Sequence, residues 1–262
     1  KRRFADLGSR LLTLWALLAY GVLFAPIVVI VLFSFNAPRG RFNLTWQGFT
    51  LENWLHPLRE AALTRAFGTS LAIALLASLL ATALGGLMAL ALARHRVRGR
   101  SWIELLLVLP LTSPEIVLAT SLLNLFVQQN LPRGVGTLVL SHSLFCLSYA
   151  ALTLKARLGG FDWSLEAAAM DLGARPLRAF LRVTLPLIAP GLLAAFLLSF
   201  SLSLDDYIIT AFTAGETITF PLYIAGAFQR EISPQIHVLA TLVLLVSVAM
   251  MALGLRWGHN EG

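Results

Sequence analysis

The length of the apolar runs limits the possible folds of this chain more than any other feature. A helix of about 20 apolar residues crosses a hydrocarbon core about 30 Å thick, and several runs of this sequence are that long. The predicted spans are 11–35, 66–93, 102–127, 134–154, 187–213 and 234–255. Charged residues make up only 13% of the chain, roughly half their share in a soluble domain. The sequence therefore predicts an all-α membrane protein with about six transmembrane helices in one domain, residues 1–262.

The basic residues are distributed unevenly between the two sets of loops that six spans create. Of the 20 lysines and arginines, 14 lie on the side of the first residues and 6 on the other side. Because the more basic loops stay in the cytoplasm, both termini are predicted to be cytoplasmic. The first apolar run is too long for the core of a signal peptide, so it is predicted to be a retained span. The net charge of +7 fits this bias and anionic lipid headgroups, and it does not indicate nucleic-acid binding.

Motifs of the common enzyme classes are absent from the sequence. The only lysines are Lys1 and Lys155, and neither follows a glycine-rich loop, so the chain has no phosphate-binding loop for ATP. The five histidines lack the spacing of a metal site, and there is no GxSxG motif. Cys146 is the single cysteine, which excludes an internal disulfide. No catalytic residue, metal site or bound cofactor is therefore predicted.

Three carboxylates fall inside the predicted spans: Glu115, Asp205 and Asp206. A charge at mid-membrane costs about 2.5–3.5 kcal/mol on insertion scales, so such residues normally face a polar path. At 1.5 Å per residue, Glu115 and Asp205 lie roughly 20 and 22 Å from the cytoplasmic edge. We expect these two to line a cation pathway with Tyr207, while Asp206 holds a neighbouring helix or another subunit. The alternative is that Glu115 caps a helix broken at Pro114 and that the aspartates end a shorter fifth span.

Residues 164–186 contain a soluble-looking helix-turn-helix between apolar spans. Asp162 or Ser164 can cap its first helix, and Gly173 suits a left-handed C-terminal cap. Pro176 suits the first turn of a second helix. We expect that helix to end at Pro186 and Pro190, where span five begins.

The first helix of this segment has an apolar stripe and the second a basic face. The stripe consists of Leu165, Ala168, Ala169 and Leu172, at helical spacing. The basic face consists of Arg175, Arg178 and Arg182. A helix of about two turns is marginal alone. It must therefore dock on another molecule, and in the cytoplasm we expect a soluble protein.

The order of residues in this segment follows a known pattern. Ala168 and Ala169 are followed by three residues and Gly173, then by nine residues, Val183, one residue and Leu185-Pro186. This order resembles the EAA loop of permease subunits of bacterial ABC importers, with Val183 at the isoleucine position. The motif glutamate falls on Ala167, and Glu166 stands one place earlier. Four further stretches resemble the inner-membrane subunits of spermidine/putrescine importers: SFN at 34–36, SPEIVLA at 113–119, AAMDLGARPL at 168–177 and LSLDDYIITAF at 202–212.

The resemblance implies a type I importer permease fold and a transport subunit of a bacterial inner membrane. The implied partners are a dimer of ATP-binding subunits that hydrolyses ATP with Mg, a second homologous permease subunit, an extracytoplasmic substrate-binding protein and a polyamine. The residues expected to couple to the ATPase are Glu166, Ala167, Ala168, Asp171, Gly173, Ala174 and Pro186. Those expected along the substrate pathway are Glu115, Asp205, Asp206 and Tyr207. The alternatives are an ABC permease for another small solute, a non-ABC cation transporter or channel, and an intramembrane enzyme.

Overall fold

The computed structural model describes the backbone of residues 2–95, 97–229 and 231–259, and the side chains of 12–95, 97–229 and 231–248. Arg96, Arg230 and the outermost residues at both chain ends, on which the orientation prediction partly rests, lie outside these ranges. The helices are α1 (Arg2–Phe33), α2 (Glu52–Leu55), α3 (Ala61–Arg94), α4 (Arg100–Thr112), α5 (Glu115–Gln128), α6 (Val135–Leu158), α7 (Ser164–Asp171), α8 (Pro176–Ala179), a π-helical segment (Phe180–Thr184), α9 (Leu185–Asp205), α10 (Ile208–Thr213), α11 (Phe220–Ala227) and α12 (Pro234–His259). Within the described ranges the β contacts are two isolated bridges, Asn36–Phe49 and Phe42–Ile232.

Four helices of the described chain are long and apolar enough to cross a membrane: Leu12–Phe33, Ala61–Arg94, Val135–Leu158 and Pro176–Asp205. The pair α4 and α5 would make a fifth span, although it is bent by 107°. The apolar stretch Pro234–Val248 of α12 is shorter than the other candidates within the described residues. The prediction of an all-α chain with several spans is confirmed, and the count of six stays a prediction.

The bend between α4 and α5 has a local cause. Ser113 has extended backbone angles, with φ −77° and ψ 142°, and Pro114 precedes the first residue of α5. Proline disfavours helical angles in the residue before it and has no N–H for the helix. The helix break considered from the sequence at Pro114 is therefore present, whereas Pro110 lies inside α4.

The described chain forms two compact units, Lys1–Thr64 with Ile224–Gly262 and Arg65–Tyr223. In the first unit, α1 packs against α12, and asparagine side chains organise the segment that follows α1. Asn36 Nδ2 donates to Asn43 Oδ1 at 2.7 Å, and Asn43 Nδ2 donates to the carbonyl oxygen of Phe33 at 2.9 Å. The expectation of a single domain over the whole chain stays a prediction.

In the second unit, α6 packs against α4, α9 and α10. The packing of α3 on α6 is close enough to need glycine: a Cβ on Gly85 would lie 2.9 Å from the backbone nitrogen of Ala151 and from the carbonyl oxygen of Leu147. Small residues at such contacts let helix backbones approach within a membrane. The thiol of Cys146 donates across to the carbonyl oxygen of Ser199 at 3.4 Å, so this cysteine is a buried packing residue of the α6–α9 contact.

One expectation about span five is wrong. Helix α8, the π-helical segment and α9 form one continuous helix from Pro176 to Asp205, so Pro186 and Pro190 do not end the second helix of the predicted helix-turn-helix. The π-helical segment lies directly before Pro186, in the turn where that proline has no N–H to donate. Its wider hydrogen-bonding pattern lets the helix continue past the missing donor.

Candidate functional site

Both ends of α7 are closed by side-chain and backbone caps that the sequence predicts. The amide of Ser164 donates to Asp162 Oδ1 at 2.9 Å, and hydrogen bonds from the hydroxyl and the amide of Ser164 lower the pKa of the Asp162 carboxyl. At the other end, Gly173 has φ +89°. Its amide donates to Met170 O and the amide of Ala174 donates to Ala169 O, which is a Schellman motif. The left-handed cap at Gly173 is confirmed.

The outward face of α7 is apolar. Leu172 is 91% exposed and Leu165 47% exposed, while Ala168 is exposed and Ala169 half-buried. Leu165, Ala168 and Leu172 thus form a short exposed apolar stripe at helical spacing. Ala167 and Asp171 are also exposed on this helix, and the arginines of the second helix are exposed: Arg175, Arg178 and Arg182.

The one glutamate of α7 points the other way. The side chain of Glu166 is 3% exposed, and its Oε2 accepts a hydrogen bond from Thr184 Oγ1 at 2.7 Å. Arg94 Nη1 at the end of α3 lies 2.8 Å from Glu166 Oε1. This contact is an ion pair rather than a directed hydrogen bond, because Oε1 has no donor in hydrogen-bond geometry. Glu166 is therefore bound inside the chain, and Ala167 occupies the exposed position that the motif reserves for glutamate.

The three carboxylates of the predicted spans all lie at helix ends. Glu115 is the first residue of α5, and Asp205 is the last residue of α9. Asp206 and Tyr207 link α9 to α10. The geometry that we treated as the alternative is thus present: Glu115 follows Pro114 at a broken helix, and the aspartates end α9. This geometry also brings the carboxyl groups of Glu115 and Asp206 close enough to interact.

Asp206 is the most constrained of these carboxylates. Its Oδ2 accepts hydrogen bonds from the amide and the hydroxyl of Thr210, both at 2.9 Å, and thereby caps α10. His142 Nε2 of α6 lies 3.3 Å from the same oxygen, and His142 Nδ1 lies 2.7 Å from Ser203 Oγ. Interhelical hydrogen bonds in membranes average about 0.6 kcal/mol, so this network fixes the geometry of three helices more than it stabilises them.

The other two carboxylates and the ring of Tyr207 are accessible. Asp205 is exposed and Glu115 is half-buried, and Tyr207 is 48% exposed. Within the described residues, no group of three or more histidine, cysteine or acidic side chains could hold a metal ion. The accessible groups can therefore offer two carboxylates and one aromatic ring to a cation, while Asp206 holds the surrounding helices.

Sequence reasoning missed the partners that position these residues. Thr210 could have been found, because it lies four residues after Asp206, where a hydroxyl and an amide can reach back to a capping carboxylate. His142 has the partners Ser203 and Thr210, which follow from the packing of α6 against α9 and α10 and not from a sequence pattern. Nothing in the sequence indicates that Arg94 lies beside Glu166.

The long apolar helices indicate an integral membrane protein, and the polar cluster at the helix ends together with the exposed stripe of α7 fits a transport component. A family model described as "Binding-protein-dependent transport system inner membrane component" matches residues 81–257, and the chain belongs to this family. Its members are transport components of inner membranes.

Individual relatives are more specific. The spermidine/putrescine transport system permease protein PotC of Haemophilus influenzae is 38% identical over 89% of this chain and 91% of its own length. PotC of Escherichia coli K12 is 36% identical over 88% of each chain. The putrescine transport system permease protein PotI of E. coli K12 is 37% identical over 87% of this chain and 83% of its own.

A solved structure supports the fold. The chain is similar, with a TM-score of 0.65 and 16% identity, to a chain in the crystal structure of a bacterial ABC transporter involved in the import of the acidic polysaccharide alginate. The likeness covers 96% of this chain and 95% of that one. The expected importer permease fold is thereby confirmed.

Proposed function

We propose that this chain is one of two homologous permease subunits of an ATP-driven importer for spermidine- or putrescine-like amines. The observation that carries the substrate class is the identity of 36–38% with polyamine permeases over nearly nine-tenths of the chain. Both termini lie in the cytoplasm of a bacterial cell, as the 14-to-6 distribution of basic residues favours. A soluble binding protein delivers the amine on the opposite side.

The ATPase is a separate dimer that binds α7. The exposed Leu165 and Leu172 fit the recognition of a short amphipathic helix in a groove, and Asp171, Gly173 and Ala174 complete the contact at the end of α7. ATP and Mg are bound by the partner, since the chain has no phosphate-binding loop. Closure of the ATPase dimer moves α7, and the motion passes to the continuous helix that contains Pro186.

The amine passes the accessible carboxylates at the start of α5 and the end of α9. Glu115 and Asp205 offer one carboxyl group each to a diamine, and Tyr207 offers an aromatic face. Asp206 takes no substrate, because Thr210 and His142 already occupy it. Two carboxylates suffice, since a pathway must bind weakly enough to release.

The test is uptake by the assembled complex in proteoliposomes. The chain is purified with its co-purifying subunits, reconstituted with the binding protein, and supplied with labelled putrescine or spermidine. We expect uptake that requires ATP on the cytoplasmic face and that unlabelled amines inhibit. Uptake without ATP, or the absence of a co-purifying ATPase, would instead support a secondary transporter or channel. ATP-driven uptake of another solute, without competition by amines, would contradict the substrate class alone.

A further inference from the structure

Glu166 lies where three elements meet on the cytoplasmic side of the second unit. Its own helix is α7, its ion-pair partner Arg94 is the last residue of α3, and its hydrogen-bond donor Thr184 is the last residue of the π-helical segment. Thr184 is fully buried. The glutamate thus connects the docking helix directly to two of the long apolar helices.

Aromatic residues reinforce this connection. The guanidinium of Arg94 lies 5.9 Å from the ring centroid of Trp163, which is within cation–π range. Trp163 and Phe161 pack edge to face at 4.7 Å and against a buried cluster made of Ala89, Leu154, Leu158 and Ile188. This cluster draws on α3, α6 and α9, so the start of α7 is anchored on all three helices.

The two faces of α7 therefore have different tasks. A group that is 3% exposed and already paired on both oxygens cannot also contact a separate protein. The exposed face has the leucines, Leu165 and Leu172, which are 47% and 91% exposed. Neighbouring residues on a helix point about 100° apart, so a glutamate at position 167 would lie on the exposed face without replacing Glu166.

We infer that Glu166 is a positioning residue that transmits the movement of α7 to α3 and α9, rather than a contact to the ATPase. This inference rests on the proposed function and names the internal part of its coupling path. Movement of the ATPase displaces the leucines of α7, and the contacts of Glu166 with Arg94 and Thr184 transmit this displacement to the spans. Without them, α7 can move while the spans stay in place.

The experiment compares variants that alter one contact each, in the assembled complex with its binding protein. Glu166→Gln removes the ion pair and keeps an acceptor for Thr184. Thr184→Val removes the hydroxyl donor with little change of shape, and Thr184→Ser keeps it. The matched control is Glu104→Gln, because Glu104 is also ion-paired, to Arg100 and Lys155 at 2.8 Å each, but does not touch α7.

The measured quantity is ATP hydrolysed per amine imported, together with the amount of ATPase that co-purifies. For E166Q and T184V we expect normal co-purification and at least about a fivefold rise in ATP used per amine, the low end of ordinary coupling between two sites. T184S and E104Q should match the unmodified chain. A normal ratio in both E166Q and T184V would overturn the inference, and so would loss of the ATPase from E166Q, since that would make Glu166 a docking contact. ATP-independent uptake by the unmodified complex would count against the proposed function instead.

Discussion

Replacement of Gly173 by valine tests the docking role of α7 with little disturbance of the spans. Gly173 has φ +89°, and a Cβ placed on it would meet no atom within 4 Å. The free-energy cost of Gly173→Val therefore comes from the backbone conformation and not from a steric clash. A residue with a Cβ pays roughly 1–2 kcal/mol in the left-handed region, which lowers the population of the capped turn by about five- to thirty-fold.

The turn carries the hydrogen bonds from Gly173 and Ala174 to the last carbonyl groups of α7, so its loss unwinds the end where Leu172 is exposed. We expect Gly173→Val to preserve assembly of the membrane subunits while ATP hydrolysis becomes uncoupled from uptake. Both rates are measured on the same proteoliposomes, and circular dichroism checks that helix content is retained.

Gly99 provides a control for the general effect of placing a residue with a Cβ in the left-handed region. It has φ +80°, it also has open space at its Cβ, and it precedes α4 rather than ending α7. Gly99→Val should keep uptake coupled. Normal coupling in Gly173→Val, or equal loss of coupling in both variants, would refute the argument that the cap of α7 positions a docking surface.

Three further predictions concern the pathway, the orientation and the packing. Glu115→Gln and Asp205→Asn should each reduce amine uptake and substrate-stimulated ATP hydrolysis while the complex still assembles; wild-type uptake by both would make these carboxylates structural. A reporter that is active only outside the cytoplasm should stay inactive when fused after Gly262, and activity there would contradict the six-span orientation. Gly85→Ala should lower the unfolding temperature, because overpacking against backbone atoms typically costs about 1–3 kcal/mol. Gly68 lies on the same helix α3 and a Cβ there has nothing within 4 Å, so Gly68→Ala should leave the unfolding temperature unchanged or raise it. An equal drop of the unfolding temperature in both variants would contradict the close α3–α6 contact.

The features that the sequence predicts correctly depend on neighbouring residues. The long apolar helices follow from the cost of exposing polar backbone to lipid. The caps at Asp162 and Gly173 and the first turn at Pro176 follow from the geometry of one or two peptide units. Each of these can be inferred from fewer than about 20 consecutive residues, the length of a span.

The features that were missed depend on contacts between distant parts of the chain. Glu166 and Arg94 belong to different helices, and only the packing of α7 on α3 brings the carboxylate and the guanidinium together. The link between Asp206 and His142 likewise requires α6 to lie beside the end of α9. The prediction about Pro186 was wrong for a different reason: local rules favour a helix end there, but the preceding π-helical segment absorbs the missing donor.

The π-helical segment also fixes an angle between the two ends of the continuous helix that contains it. A π turn adds one residue relative to an α-helix, and each residue turns the helix by about 100°. Removal of one residue from Phe180–Thr184 would therefore rotate Asp205 about the helix axis relative to α8 by roughly that amount. The azimuth of Asp205 is thus set some twenty residues away, at the other end of the span, by the length of this turn.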